Sequence, residues 1–150
     1  MKLAEALNLR ADTAKRLSQL SERLTANAKV QEGDTPAENP QELLEELDRL
    51  TYQLEDLISR INLTNSKTTY DGKSLTEMIA KKDTLSLKNS VLRNFLSAAS
   101  TKIDRYSNKE IRIVSTVNVR ELQKSSDEIS EEIRKLNIKI QELNWSTDLL

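Results

Sequence analysis

Two runs of carboxylates are the first places where chemistry could reside: Glu42, Glu45 and Glu46, and Asp127, Glu128, Glu131 and Glu132. Inward-facing glutamates on neighbouring helices can build a dinuclear metal centre, normally completed by a Glu-x-x-His motif. The chain has no histidine and no cysteine, which removes the commonest transition-metal ligands, the usual general base and thiolate chemistry. The acids also avoid the apolar positions of their segments, which is the pattern of a solvated, salt-bridged helix face. No metal and no cofactor are therefore expected. Serines are numerous but have no histidine partner, and Gly33 and Gly72, the two glycines, cannot build a P-loop, a dinucleotide fingerprint or a nucleophile elbow. The chain reads as a non-enzyme.

Two cations interrupt apolar stripes. Arg10 and Lys82 each fall about seven residues into a helical pattern, on the seam, and in an up-down arrangement they share a level near one end of the core. A pair of inward cations calls for acids or an anionic ligand. The candidate anion-binding residues are thus Arg10 and Lys82; the competing reading has both side chains reaching outward or pairing with neighbouring acids. Asn89 interrupts a third position and is expected to set register.

The elements that carry these residues are helices. Leu43, Leu47, Leu50, Leu54, Leu57 and Ile61 form an unbroken heptad ladder, repeated as Val119, Leu122, Ile129, Ile133, Leu136, Ile140 and Leu143. Apolar residues alternately three and four apart occupy one stripe of a helix. The spacing predicts helices over about 2–28, 40–65, 75–105 and 119–145. On the first, Leu3, Leu7, Ala14, Leu17, Leu24 and Ala28 are assigned to the seam, Leu20 beside it, with Arg10 and Ser21 as breaks. Asn39, Pro40 and Glu42 give a start signal for the second, Ser74 with Glu77 for the third, and Asn118 with Glu121 for the fourth. Leu44 and Ile58 broaden the second stripe, as a bundle core requires, and Val91 and Phe95 widen the second half of the third.

Between helices, VQEGDTPAENP (30–40) reads as a loop and KTTYDGK (67–73) as a tight turn at Asp71 and Gly72. SNKEIRIVSTV (107–117) is β-branched and alternating, so a short extended or β segment is expected near 111–117. Its residues Ile111 to Val114 could pair with Val30 and Gln31, or simply form an ordered connector. The fold class that follows is all-α: an antiparallel four-helix bundle, or coiled-coil-like helical hairpins, in a single domain over 1–150.

Twenty-three basic against 24 acidic residues leave a formal charge of −1, which offers no general attraction to nucleic acid or anionic lipid. No stretch reaches the roughly 18 apolar residues of a membrane span, and Met1 to Arg10 lacks the apolar core of a signal peptide. A cytoplasmic protein without nucleic-acid or membrane partners is expected.

The motifs MKLAEAL with LRAD, VQEG before the proline-containing loop and ELL, RIN with TN at Ile61 to Asn65, DGKSLTEMIAKKD, IVSTVNV and IQELNWSTDL span nearly the whole chain. On these the chain resembles the septicolysin-like family of short bacterial helical proteins of unknown function. The resemblance implies a helical fold, and the family's name implies membrane activity. Three functions stay open: a self-associating helical interaction or structural protein, which leads; a small-ligand or anion binder using Arg10 and Lys82; and a membrane-active protein. Ile111, Ile113 and Ile138 are the candidate interface residues of a homo-oligomer, with Leu9 and Leu87 also lying off their seams.

Overall fold

In a computed structural model, which describes residues 1–100 and 111–150, the chain forms α1 (Leu3–Ala26), α2 (Pro40–Lys67), α3 (Leu75–Ser100) and α4 (Val119–Ser146). The expected continuation of the third helix beyond Ser100, and the start of the SNKEIRIVSTV segment up to Glu110, lie outside the described residues. The chain divides into two compact units, Met1–Thr76 with Gln141–Leu150, and Glu77–Ile140.

The first unit is built on the α1–α2 hairpin. Its centre is a leucine cluster in which Leu20, Leu43 and Leu50 are buried, flanked by Leu17, Leu24 and Leu47. Leu57 and Ile61 continue the α2 ladder inward as expected. On α1 the seam differs from the expectation at every second position: Ala6, Thr13, Leu20 and Asn27 are buried, whereas Ala14, Ser21 and Ala28 are exposed. Two polar residues can take core positions because their hydrogen bonds are met locally. The Thr13 hydroxyl donates to the Leu9 carbonyl at 2.7 Å. Asn27 donates to the Arg23 carbonyl at 2.9 Å and accepts from the Glu38 backbone N–H at 2.9 Å. Asn27 thereby satisfies a carbonyl in the last turn of α1 and fixes the returning loop.

Helix starts follow their sequence signals. Asn39 accepts from the Gln41 N–H at 3.0 Å, with Pro40 in the first helical position, and Asn118 accepts from the Glu121 N–H at 3.2 Å. At α1 the Lys2 N–H donates to the Glu5 carboxylate at 2.6 Å. The two ends of the described chain are clasped in this unit: Leu3 N–H donates to the Thr147 carbonyl and Leu149 N–H to the Met1 carbonyl, both at 2.9 Å. Leu150 N–H reaches the hydroxyl of fully buried Thr64 at 3.0 Å.

The two-stranded ladder sits where a turn alone was expected. Thr69–Tyr70 (β1) pairs antiparallel with Lys73–Ser74 (β2). Asp71 and Gly72 have φ of 49° and 74°, the left-handed pair that a two-residue type I′ hairpin demands. Residues 111–117 stand outside any helix but form no strand, a correction to the β reading. Alternation supplies propensity, yet a strand exists only when another edge completes its hydrogen bonds. Val30 and Gln31 are likewise in no strand.

The second unit is an antiparallel pairing of α3 with α4. Along α3 within this unit Met78, Asn89 and Leu96 are buried, and Lys82, Leu85, Leu92 and Ala99 are partly so. Ser126, 1% exposed, completes the α4 ladder between Leu122 and Ile129.

Candidate interaction surface

The outer side of α3 carries a second apolar stripe. Leu87, Val91 and Phe95 recur every four residues, so they stack on one face, and they are 67%, 63% and 45% exposed. Ala80, Thr84 and Ala98, all exposed, extend the face in both directions without introducing a charge. The helix is thus apolar on two sides, one turned to α4 and one unpartnered among the described residues. Immediately before α4, Ile111, Ile113 and Val114 expose 79%, 73% and 73% of their surface. Apolar residues scattered singly are ordinary on a protein surface; a contiguous row is about the size of the largest patch on a typical monomer, which is often functional.

The seam beneath this face is held by polar groups. The Asn89 amide donates to the Ser130 hydroxyl at 2.9 Å and accepts from the buried Ser126 hydroxyl at 2.8 Å. Arg93 adds a longer bond to Ser130 at 3.4 Å. Both sides of the amide are matched at one register only, so Asn89 locks α3 against α4 as a polar core residue does in a coiled coil. Lys81 pairs with Glu132 across the same two helices.

The two cations named from the sequence fall in different units. Arg10 belongs to the first unit and Lys82 to the second. Lys82 lies 3.5 Å from the carboxylate of its neighbour Asp83. Arg10 is partly buried on the α1 seam and has no ion pair or side-chain hydrogen bond among the described residues. Ile111, Ile113 and Ile138 are all exposed, Ile138 at 54%, and all three belong to the second unit. Leu9 is partly buried.

The carboxylate runs form ion-paired helix faces. Glu46 meets Arg16 at 3.2 Å and Arg23 at 3.5 Å, and Glu131 meets Lys135 at 2.8 Å. Hydrogen bonding from Arg23 holds the Glu38 carboxyl below its ordinary range, and Lys2 does the same for Asp148. Among the described residues no group of three or more acids is arranged to hold a metal ion, and no described helix is long and apolar enough to cross a membrane.

The sequence marks Leu87 as a contact candidate and places Val91 and Phe95 on a wider core face, whereas the structure exposes all three. The signal that separates them is their four-residue spacing from Leu87, continued by small Ala80 and Ala98. Ser126 and Ser130 were missed because serine has no apolar signature.

Residues 10–149 match the profile of a family described as a family of unknown function, DUF6847. The chain belongs to this family. It is similar to a solved structure described as the crystal structure of a functionally unknown conserved protein from Corynebacterium diphtheriae, with 43% sequence identity, a TM-score of 0.91, and coverage of 100% of this chain and 99% of that one. No curated protein matches. The resemblance to septicolysin-like proteins is thereby corrected: the family that covers the chain is the DUF6847 family, and neither it nor the corynebacterial neighbour carries a septicolysin link. The membrane-active reading rested on that resemblance and falls with it.

Proposed function

We propose that this member of the DUF6847 family is a non-enzymatic helical interaction protein of the cytoplasm that works by self-association. The observation that carries the reading is the outer face of α3, where Leu87, Val91 and Phe95 stand in one exposed row. Burying such residues contributes about 1.5–3 kcal/mol each. Light scattering of the purified protein across micromolar concentrations tests it. A mass at a multiple of the chain mass is expected; the mass of a single chain throughout that range rejects self-association.

Anion binding is a second reading, favoured by one observation: Arg10 sits partly buried on the α1 seam without an acid beside it among the described residues. Phosphate or sulfate should then raise the melting temperature of the protein but not that of Arg10→Met. Equal response of the two proteins to either anion removes this reading.

A further inference from the structure

The outer stripe of α3 has the periodicity of a coiled-coil seam of its own. Ala80, Thr84, Leu87, Val91, Asn94 and Ala98 alternate spacings of four and three, which places Thr84, Val91 and Ala98 at one class of seam position and Ala80, Leu87 and Asn94 at the other. In standard lettering Val91 falls at a and Leu87 at d. A β-branched residue at a with leucine at d is the combination that favours two parallel strands. The positions bordering this seam are Lys81, Lys88 and Phe95 on one side and Asp83, Ser90 and Ser97 on the other, all exposed.

We propose that the partner of this face is a second copy of the chain, with α3 packed against α3 in parallel and in register about a two-fold axis running along the pair. The proposal rests on the self-association read above and gives it a surface and a direction. Charge supports the direction. In a parallel pair each residue of one border faces the opposite border of the other helix five residues further on, which sets Asp83 of each copy against Lys88 of the other. An antiparallel pair would instead oppose like borders and bring the lysine-bearing sides together, where like charges repel. Every other residue on the two borders, Lys81 apart, is uncharged, so this pair decides the orientation.

Area supports a dimer that uses more than the helix. Leu87, Val91 and Phe95 expose on the order of 100 Å² of apolar surface each, so α3 alone would bury about 600 Å² over two copies, the size of a crystal contact. Ile111, Ile113 and Val114 of the same unit carry a similar exposed area. Including them brings the total to roughly 1,200 Å², the threshold of a stable interface. That segment leads into α4 at the end of the antiparallel α3–α4 pair where α3 finishes, so a parallel arrangement gathers both copies' segments at one end. An antiparallel arrangement would send them to opposite ends.

Because the full chain contains no cysteine, single substitutions report position without background. Thr84→Cys, Val91→Cys and Ala98→Cys, each made in the full chain, are oxidised with copper phenanthroline and resolved on a denaturing gel, with helicity checked by circular dichroism and mass by light scattering. Residues facing each other across two packed helices bring their Cα atoms within disulfide range. The parallel dimer predicts that each variant links to itself, that a mixture of Thr84→Cys with Asn94→Cys, which an antiparallel pair would set opposite each other, gives no excess of mixed dimer over chance, and that Ile138→Cys on α4 stays unlinked. A dimeric mass with mixed Thr84–Asn94 links in excess overturns the orientation and leaves self-association standing. A dimeric mass in which Ile138→Cys links and the α3 variants do not overturns the surface. A single-chain mass for the unsubstituted protein overturns self-association, and this pairing with it.

Discussion

The α1–α2 hairpin and the α3–α4 hairpin are built from helices of similar length, and both leave apolar residues outside, but Leu44, Tyr52, Ile58 and Leu63 of α2 are spread along it whereas Leu87, Val91 and Phe95 of α3 follow at consecutive four-residue steps. The first concentrates leucine on the seam: Leu20, Leu43 and Leu50 are 3% exposed or less, and the outside is tied by ion pairs such as Arg23 with Glu38. The second carries an amide and two hydroxyls in its seam and leaves leucine, valine and phenylalanine outside. Apolar surface held in a seam stabilises a fold and then has no further use. Apolar surface left on the outside of a helix whose seam is already satisfied is available for a partner. On the proposed reading, the first hairpin supplies stability and the second offers the surface for association.

The comparison can be broken by substitutions on each side of it. Leu50→Ala should have the largest effect, because it empties a position at the centre of the leucine cluster; a loss of about 2–5 kcal/mol is expected in chemical denaturation. Asn89→Ala should cost about 1–3 kcal/mol, mostly because the buried Ser126 hydroxyl loses its acceptor. Removing both partners in Asn89→Leu with Ser126→Ala should recover most of that loss while admitting slipped registers, which broadening of amide spectra on α3 and α4 would reveal. A full loss in the double variant would show that the polar cluster stabilises the hairpin and does more than align it.

The smallest effect concerns the exterior of the first hairpin. Hydrogen bonding from Arg23 lowers the folded-state titration of Glu38 relative to an unpaired carboxyl. The stabilisation this confers is present above the unfolded carboxylate range and is lost as pH falls through the depressed folded value. Glu38→Gln should therefore be less stable than the parent at neutral pH and should show a shallower loss on acidification, with the two melting temperatures converging in acid. Parallel curves over the whole range would mean that the pair contributes nothing measurable, as many exposed pairs do not.

Much of this architecture is legible in the sequence because leucine is a strong marker. The ladders of α2 and α4, the Asn39 and Asn118 starts and the seam break at Asn89 all follow from spacing and cap chemistry. The α1 seam was displaced at alternate positions because threonine and asparagine look polar, and their burial depends on bonds to Leu9, Arg23 and Glu38 that no local pattern announces. Leu44 and Ile58 broaden the stripe in the sequence, yet they remain 45% and 40% exposed. The Ile111 to Val117 run has strand propensity without a strand edge beside it, whereas Asp71–Gly72 makes a ladder from residues of modest propensity because the turn itself closes it. The candidate interaction face was half legible: Leu87 stood out as misplaced, and only the structure showed that Val91 and Phe95 share its side of the helix.

The most direct test of self-association through the outer face of α3 is light scattering of the unsubstituted protein beside Val91→Glu at the same micromolar concentrations. Val91 is 63% exposed, so a charge there should leave the melting of the isolated chain within about 0.5 kcal/mol of the parent. The expected result is a mass of two chains for the parent and of one chain for Val91→Glu, with equal helicity. Equal masses for the two proteins would contradict it.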